Sequence, residues 1–202
     1  MVRKSKGKPE KQVIGIYCEG SSEVTYFNML RRKYHGGNVQ AHRAGLKIVA
    51  MDSEKGTKLI TDVIKQVNAL KKQRKVDVVF AVFDRDDLTR EDIQRAQALA
   101  RQNNIKIIFS SINFEIWILL HFEFFTRAYT RTGLNTVLSD SRHFNQDYSR
   151  FKGNEYDQLL VDKVATAIKN GRQLARRQTD LLTADPFVNI QDHIREIFGR
   201  ED

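Results

Sequence analysis

VDVVFAVFDRDD, residues 76–87, decides how the chain is read: seven of its first eight residues are apolar, and three carboxylates, Asp84, Asp86 and Asp87, crowd into its last four. An apolar run with no polar alternation is a strand buried on both faces, which places it centrally in a parallel sheet. Acids packed directly behind such a strand repel one another, so something positive is expected where the strand ends.

The flanking sequence supplies the rest of the sheet. QVIGIYC (12–18) reads as a first strand, followed by the turn-like EGSS and a helix from Ser22 to His35. That helix places Val24, Phe27, Leu30 and Tyr34 at helical spacing, and Gly36 and Gly37 stop it. LKIVAM (46–51) is a second strand, and Leu59, Ile60, Val63, Ile64, Val67 and Leu70 line one face of a helix over 57–74. Thr89 and Asp92 have the spacing of a capping box that opens a helix to about Asn103, and IKIIFS (105–110) is the fourth strand. Strands alternating with helices in this way predict an α/β fold: right-handed βαβ units and a mainly parallel, four-stranded sheet flanked by helices. Ligands of such sheets bind beyond the carboxyl ends of the strands. Glu19 follows the first strand and Asp84 the third, so the two are expected to meet along one edge, with Asp86 in the adjoining loop.

Beyond Ser110 the pattern is helical. NFEIWILLHFEFF (113–125) is apolar almost all round and predicts one buried helix, whereas 126–154 is polar and reads as loop or short helix. From Tyr156 to about Gln178, Leu160, Val164, Ala167, Ile168 and Leu174 share one helical face and Lys169, Arg172 and Arg176 another. Asp185-Pro186 starts a last helix that turns Phe187, Ile190, Ile194 and Ile197 inward and ends at Gly199.

Composition narrows the class. A chain of 202 residues suits one domain with a real core. Its single cysteine, Cys18, excludes a disulfide framework and fits a reducing compartment. The basic start lacks the apolar run of a signal peptide, and no stretch is long enough to span a membrane, so a soluble, cytoplasmic protein is expected. Lys and Arg number 34 against 25 Asp and Glu, a net charge of +9. Residues 1–11 supply +4 of it, through five basic residues less Glu10. Such a tail either attracts phosphates by counterion release or is merely a solvated end.

Oxygen ligands converging from Glu19, Asp84 and Asp86 suit a hard divalent cation, Mg²⁺ or Mn²⁺, of the kind that sits against phosphates. Glu23 and Asp87 have bland alternatives as helix-capping acids. Glu115, at the start of an apolar helix, is costly to bury without a partner and is a candidate for a second metal or for positioning substrate. Trp117 is most simply core and His121 a hydrogen-bonded helix residue. Lys169, Arg172 and Arg176, and Lys152 in the loop Y-S-R-F-K-G-N, are the candidates for meeting phosphates.

C-E-G at 18–20 together with F-D-R-D-D at 83–87 resembles the toprim fold of topoisomerases, primases and OLD-type nucleases. E-G-S-S-E-V-T-Y-F (19–27), S-I-N-F-E-I-W-I-L-L-H-F (111–122) and D-P-F-V-N-I-Q-D-H-I (185–194) resemble, more narrowly, the RloB-like family of small toprim proteins found with bacterial restriction and abortive-infection loci. Asn113 stands where that family usually has Pro or a similar residue, and Ser-Ser-Glu where Glu-Thr-Glu is common. Composition sets off a basic tail over 1–11, and with the resemblance residues 12–125 are expected to form a toprim domain and 126–202 a helical extension packed on the same domain. It further implies Glu19 as general acid or base or as metal ligand, and Asp84 and Asp86 as holders of Mg²⁺. The implied protein is a nuclease acting on DNA or RNA, tRNA included, in antiviral defence, working beside an ABC- or AAA-type ATPase and plausible as a homodimer.

Two other classes compete. A haloacid-dehalogenase-like phosphatase would carry its D-x-D motif on the opening core strand, with Thr or Val two positions on. Here other elements come first and Leu88 fills that position. A noncatalytic alternative is a metal-dependent nucleic-acid-binding subunit of a larger complex.

Overall fold

The computed structural model describes residues 13–35, 46–51, 55–70 and 76–200. The basic tail and residues 71–74 of the second predicted helix lie outside the described residues.

The chain runs β1 (Ile14–Cys18), α1 (Ser21–His35), β2 (Leu46–Ala50), α2 (Gly56–Leu70), β3 (Val78–Asp84), α3 (Arg90–Gln102) and β4 (Ile105–Ser111). These strands form a sheet in the order β2-β1-β3-β4, all parallel, with Cys18 level with Val82 and Asp84 level with Ser110. The path from β1 to β2 runs one way across the sheet, and those from β2 to β3 and β3 to β4 run the other. Right-handed crossovers therefore send α1 to one face and α2 with α3 to the other. The core divides accordingly. Ile16, Phe80, Val82 and Ile108 pack with the α1 side, while Tyr17, Val79, Ala81, Phe83 and Phe109 pack against Leu59, Ile60, Val63, Ile93 and Ala96. Alternate residues of β3 serve opposite layers, which is why its sequence is apolar without a break. Thr89 caps α3 with both halves of the capping box in place.

The sheet has five strands rather than the four expected. β5 (Phe187–Val188) pairs antiparallel with β4, opposite Ser111 and Ser110. Asn189 extends that edge, accepting from Phe109 N–H at 2.7 Å and donating to Ile107 O at 3.0 Å. Two residues are too few to show an alternating pattern, so D-P-F-V reads as a helix start. The last helix begins later, at Ile190.

The remaining elements are α4 (Glu115–Leu119), α5 (Arg131–Ser139), α6 (Tyr148–Phe151), α7 (Asp157–Leu160), a 3₁₀ turn (Val161–Lys163), α8 (Val164–Ala175) and α9 (Ile190–Phe198). The helix predicted over 113–125 is thus only five residues long. Its continuation would use Leu120 O for the residue four along, but Asn170 of α8 donates its Nδ2 to that carbonyl at 2.8 Å. The polar segment 126–154 holds α5 and α6, each opened by a side-chain cap: Thr130 Oγ1 on Gly133 N–H and Asp147 on Ser149 N–H. The helix predicted over 156–178 is broken by the 3₁₀ turn. Gly199, at φ 72°, ends α9 as expected. No helix among the described residues is long and apolar enough to cross a membrane.

Candidate functional site

The strand order reverses between β1 and β3, and their carboxyl ends open side by side at the crevice where α/β sheets bind ligands. Glu19 leaves β1 with its N–H still bonded to Val82 O at 2.9 Å. Its Oε2 accepts Asp84 N–H at 3.2 Å, and Asp84 Oδ2 in turn accepts Phe114 N–H at 3.0 Å. The two predicted acids therefore meet at the edge. Asp86 follows in a loop held by Arg85 N–H on Ser110 O and Asp86 N–H on Ile112 O, both 2.9 Å. Asp86 adopts φ 43°, a left-handed conformation that Asp tolerates better than most residues.

Glu19, Glu23, Asp84 and Asp86 line one cavity of ≈ 230 Å³, together with Gly20, Ser21, Ser22, Asn113, Arg131 and Lys152. Glu115 is fully buried behind it, and Lys152 Nζ reaches Glu115 Oε1 at 3.0 Å. Tyr148 also donates to that oxygen, at 3.4 Å, and its hydroxyl lies 3.3 Å from that of Tyr156. Lys152 is delivered there by a loop pinned to α1, where Thr25 Oγ1 donates to Gly153 O at 3.1 Å. Gly153 has φ 85°, and a Cβ on it would stand 2.9 Å from Ser21 Oγ, so only glycine fits.

Two cations hold the outer acid. Lys55 Nζ pairs with Asp86 Oδ2 and lies 3.6 Å from Glu19 Oε1, bridging two predicted site carboxylates. Arg131, the first residue of α5, takes Asp86 Oδ1 and stands 3.5 Å from Asp87 Oδ2. Asp87 is 90 % exposed and does not line the cavity. Lys169 and Arg172 on α8, and Arg176 just past its end, are exposed to solvent and do not line it.

Electrostatics follow from this crowding. Burial, then the charges of Glu115 and Glu19, push the Glu23 carboxyl up to about 7. Burial, then Glu23, Glu19 and Glu115, raise Asp84 well above the carboxylate range against the pull of Phe114 N–H. Burial also raises Glu19, opposed by Asp84 N–H and Lys55. Lys152 is raised despite its burial by Glu115, Glu23 and Asp84. Five carboxylates (Glu19, Glu23, Asp84, Asp86 and Glu115) face three cations (Lys55, Arg131 and Lys152), a surplus of two negative charges if all ionise.

This donor set suits a hard divalent cation. The ligand atoms are carboxylate oxygens, and an ammonium already bridges Glu19 and Asp86 where a cation would be attracted. Asn113 is buried on the cavity wall with no partner for its Oδ1, leaving a neutral oxygen available. Among the described residues no three acidic, His or Cys side chains converge as a finished ligand set. Asp86 is drawn toward its two cations, and one oxygen of Asp84 is spent on Phe114 N–H. Lys55 and Arg131 carried no signal in the sequence, because each is a single basic residue outside the quoted motifs, whereas Asn113 stood inside one only as a departure from the family pattern. Trp117 and His121 are core: Trp117 is fully buried, and His121 bonds Tyr26 Oη at 3.1 Å and Trp117 O at 3.0 Å.

A mostly parallel α/β sheet with an acid-lined crevice at its switch point defines the general class. Within it the chain belongs to the RloB-like protein family, whose family model matches residues 14–197. No curated protein and no solved structure matches the chain.

Proposed function

We propose that this protein is a Mg²⁺- or Mn²⁺-dependent phosphodiesterase acting on nucleic acid, a toprim-like nuclease serving antiviral defence. The observation that carries the reading is the hydrogen bond from Asp84 N–H to Glu19 Oε2, which ties the acid after β1 to the acid after β3 inside one cavity. Glu19, Asp84 and Asp86 would hold the cation. When bound, such an ion polarises a phosphoryl oxygen and lowers the pKa of a water. The chain's own groups do the rest. Asp84 N–H and Phe114 N–H fix the carboxylates of Glu19 and Asp84, and Lys152 supplies positive charge on the Glu23 side of the cavity. Glu23 lines the same cavity beside those acids, within reach of the group they would act on. The defence context and an ATPase partner rest on the family resemblance.

The test is cleavage of DNA, total RNA and tRNA by purified protein with Mg²⁺ or Mn²⁺. Asp84→Asn and Glu19→Gln are expected to lose cleavage by at least about a hundredfold while remaining folded. Equal product from parent and variants removes the proposal. Metal-dependent binding of nucleic acid with no product from the parent identifies a noncatalytic binding subunit instead.

A further inference from the structure

Lys55 and Arg131 each take one oxygen of Asp86. Both remain open to solvent, with 30 % and 47 % of their side chains exposed. Asp86 itself is 13 % exposed, so each pair is open to solvent on the cation's side only. A divalent cation on Asp86 would compete for the very oxygens that now hold Lys55 and Arg131, because one carboxylate cannot give full charge to three partners. Released, Arg131 stands on the wall of a cavity that also carries an unpartnered acceptor, Asn113 Oδ1, and Lys55 stands beside two of that cavity's acids, Glu19 and Asp86. A guanidinium fork and a flexible ammonium are the groups that grip phosphate. Lys152 cannot take this role without leaving Glu115 buried and unpaired, and the cations of α8 do not line the cavity.

We infer that Lys55 and Arg131 are the phosphate-gripping residues of this site, held by Asp86 and turned to a nucleic-acid phosphodiester when a divalent cation takes Asp86. This rests on the metal-dependent reading above. It assigns phosphate recognition to the β2–α2 approach and to the start of α5, not to the basic face of α8.

Two binding measurements on the full chain test it without turnover. Mn²⁺ affinity is read by electron paramagnetic resonance, and binding of short labelled single-stranded DNA and RNA is read by anisotropy in Ca²⁺ across a salt series. Lys55→Gln and Arg131→Gln are each expected to bind Mn²⁺ about two- to fivefold more tightly than the parent, since a competitor is gone. Each should also flatten the plot of log affinity against log salt by about 0.7, the loss of one phosphate contact on a single strand. Lys55→Arg and Arg131→Lys should keep the parental slope, and Lys169→Gln should alter neither reading. Weaker Mn²⁺ binding in the glutamine variants overturns the inference, as does an unchanged salt slope while the parent binds Mn²⁺. A parent that binds no Mn²⁺ overturns both this inference and the reading beneath it.

Discussion

Glu23 shows how one residue ties chemistry to stability. Its carboxyl is raised in the folded state, to about 7 from an ordinary value of 4.5. The folded protein therefore holds a proton between those values that the unfolded chain has released. Stability from this group is present below about pH 4.5 and is lost as pH rises through about 7, by up to about 3 kcal/mol. Metal-free protein, in EDTA, should accordingly melt at progressively lower temperature from pH 5 to pH 8, and Glu23→Gln should reduce that dependence, the remainder coming from Asp84 and Glu19. A Glu23→Gln variant with the parental pH profile would show that the proton resides elsewhere. Lys152 offers a second check. Removing it as Lys152→Ala strands Glu115, which is 0 % exposed, at a cost of about 2 kcal/mol. That figure lies below the cost for a fully enclosed pair because the ammonium side is partly wet. Denaturant titration of Lys152→Ala/Glu115→Gln should recover most of the loss, and failure to do so would mean the pair is not what Lys152 contributes.

Among elements, what was legible in the sequence was whatever repeats. β3 announced itself because both its faces are apolar, and α3 because Thr89 and Asp92 form a reciprocal cap. The edge that unites Glu19 with Asp84 was legible for the same reason: parallel βαβ order leaves few places for the ends of β1 and β3. The length of α4 was not legible, since the side chain that takes Leu120 O belongs to Asn170, fifty positions away. β5 and the cations on Asp86 escaped for a like reason, as each depends on one long-range contact rather than on a period. Packing between elements is equally specific. A Cβ on Gly171 of α8 would stand 2.8 Å from Gln191 Oε1 and 3.1 Å from the ring of the fully buried Trp117. Gly171→Ala, although favourable to an isolated helix, should therefore destabilise the protein by about 1–3 kcal/mol in chemical denaturation. A neutral or stabilised variant would show that α8 can move off α4 at little cost.

For the whole molecule, the cation site proposed above would make divalent cations stabilising ligands of the folded state. Mg²⁺ at about a hundred times its dissociation constant should add about 2.7 kcal/mol to unfolding, and the melting temperature should rise accordingly. Asp84→Asn should abolish most of that increment. A melting temperature indifferent to Mg²⁺, Mn²⁺ and Ca²⁺ alike would count against a cation site.

The antiparallel pairing of Phe187–Val188 with Ser110–Ser111 has a consequence for biosynthesis. A nascent chain still on the ribosome can pair β1 to β4 long before it possesses the segment that covers the open side of β4. Until then the sheet keeps a bare, sticky border, and its acidic crevice lacks the neighbours that the later half brings. A product ending before Phe187 should therefore be prone to clump through that border rather than merely less stable.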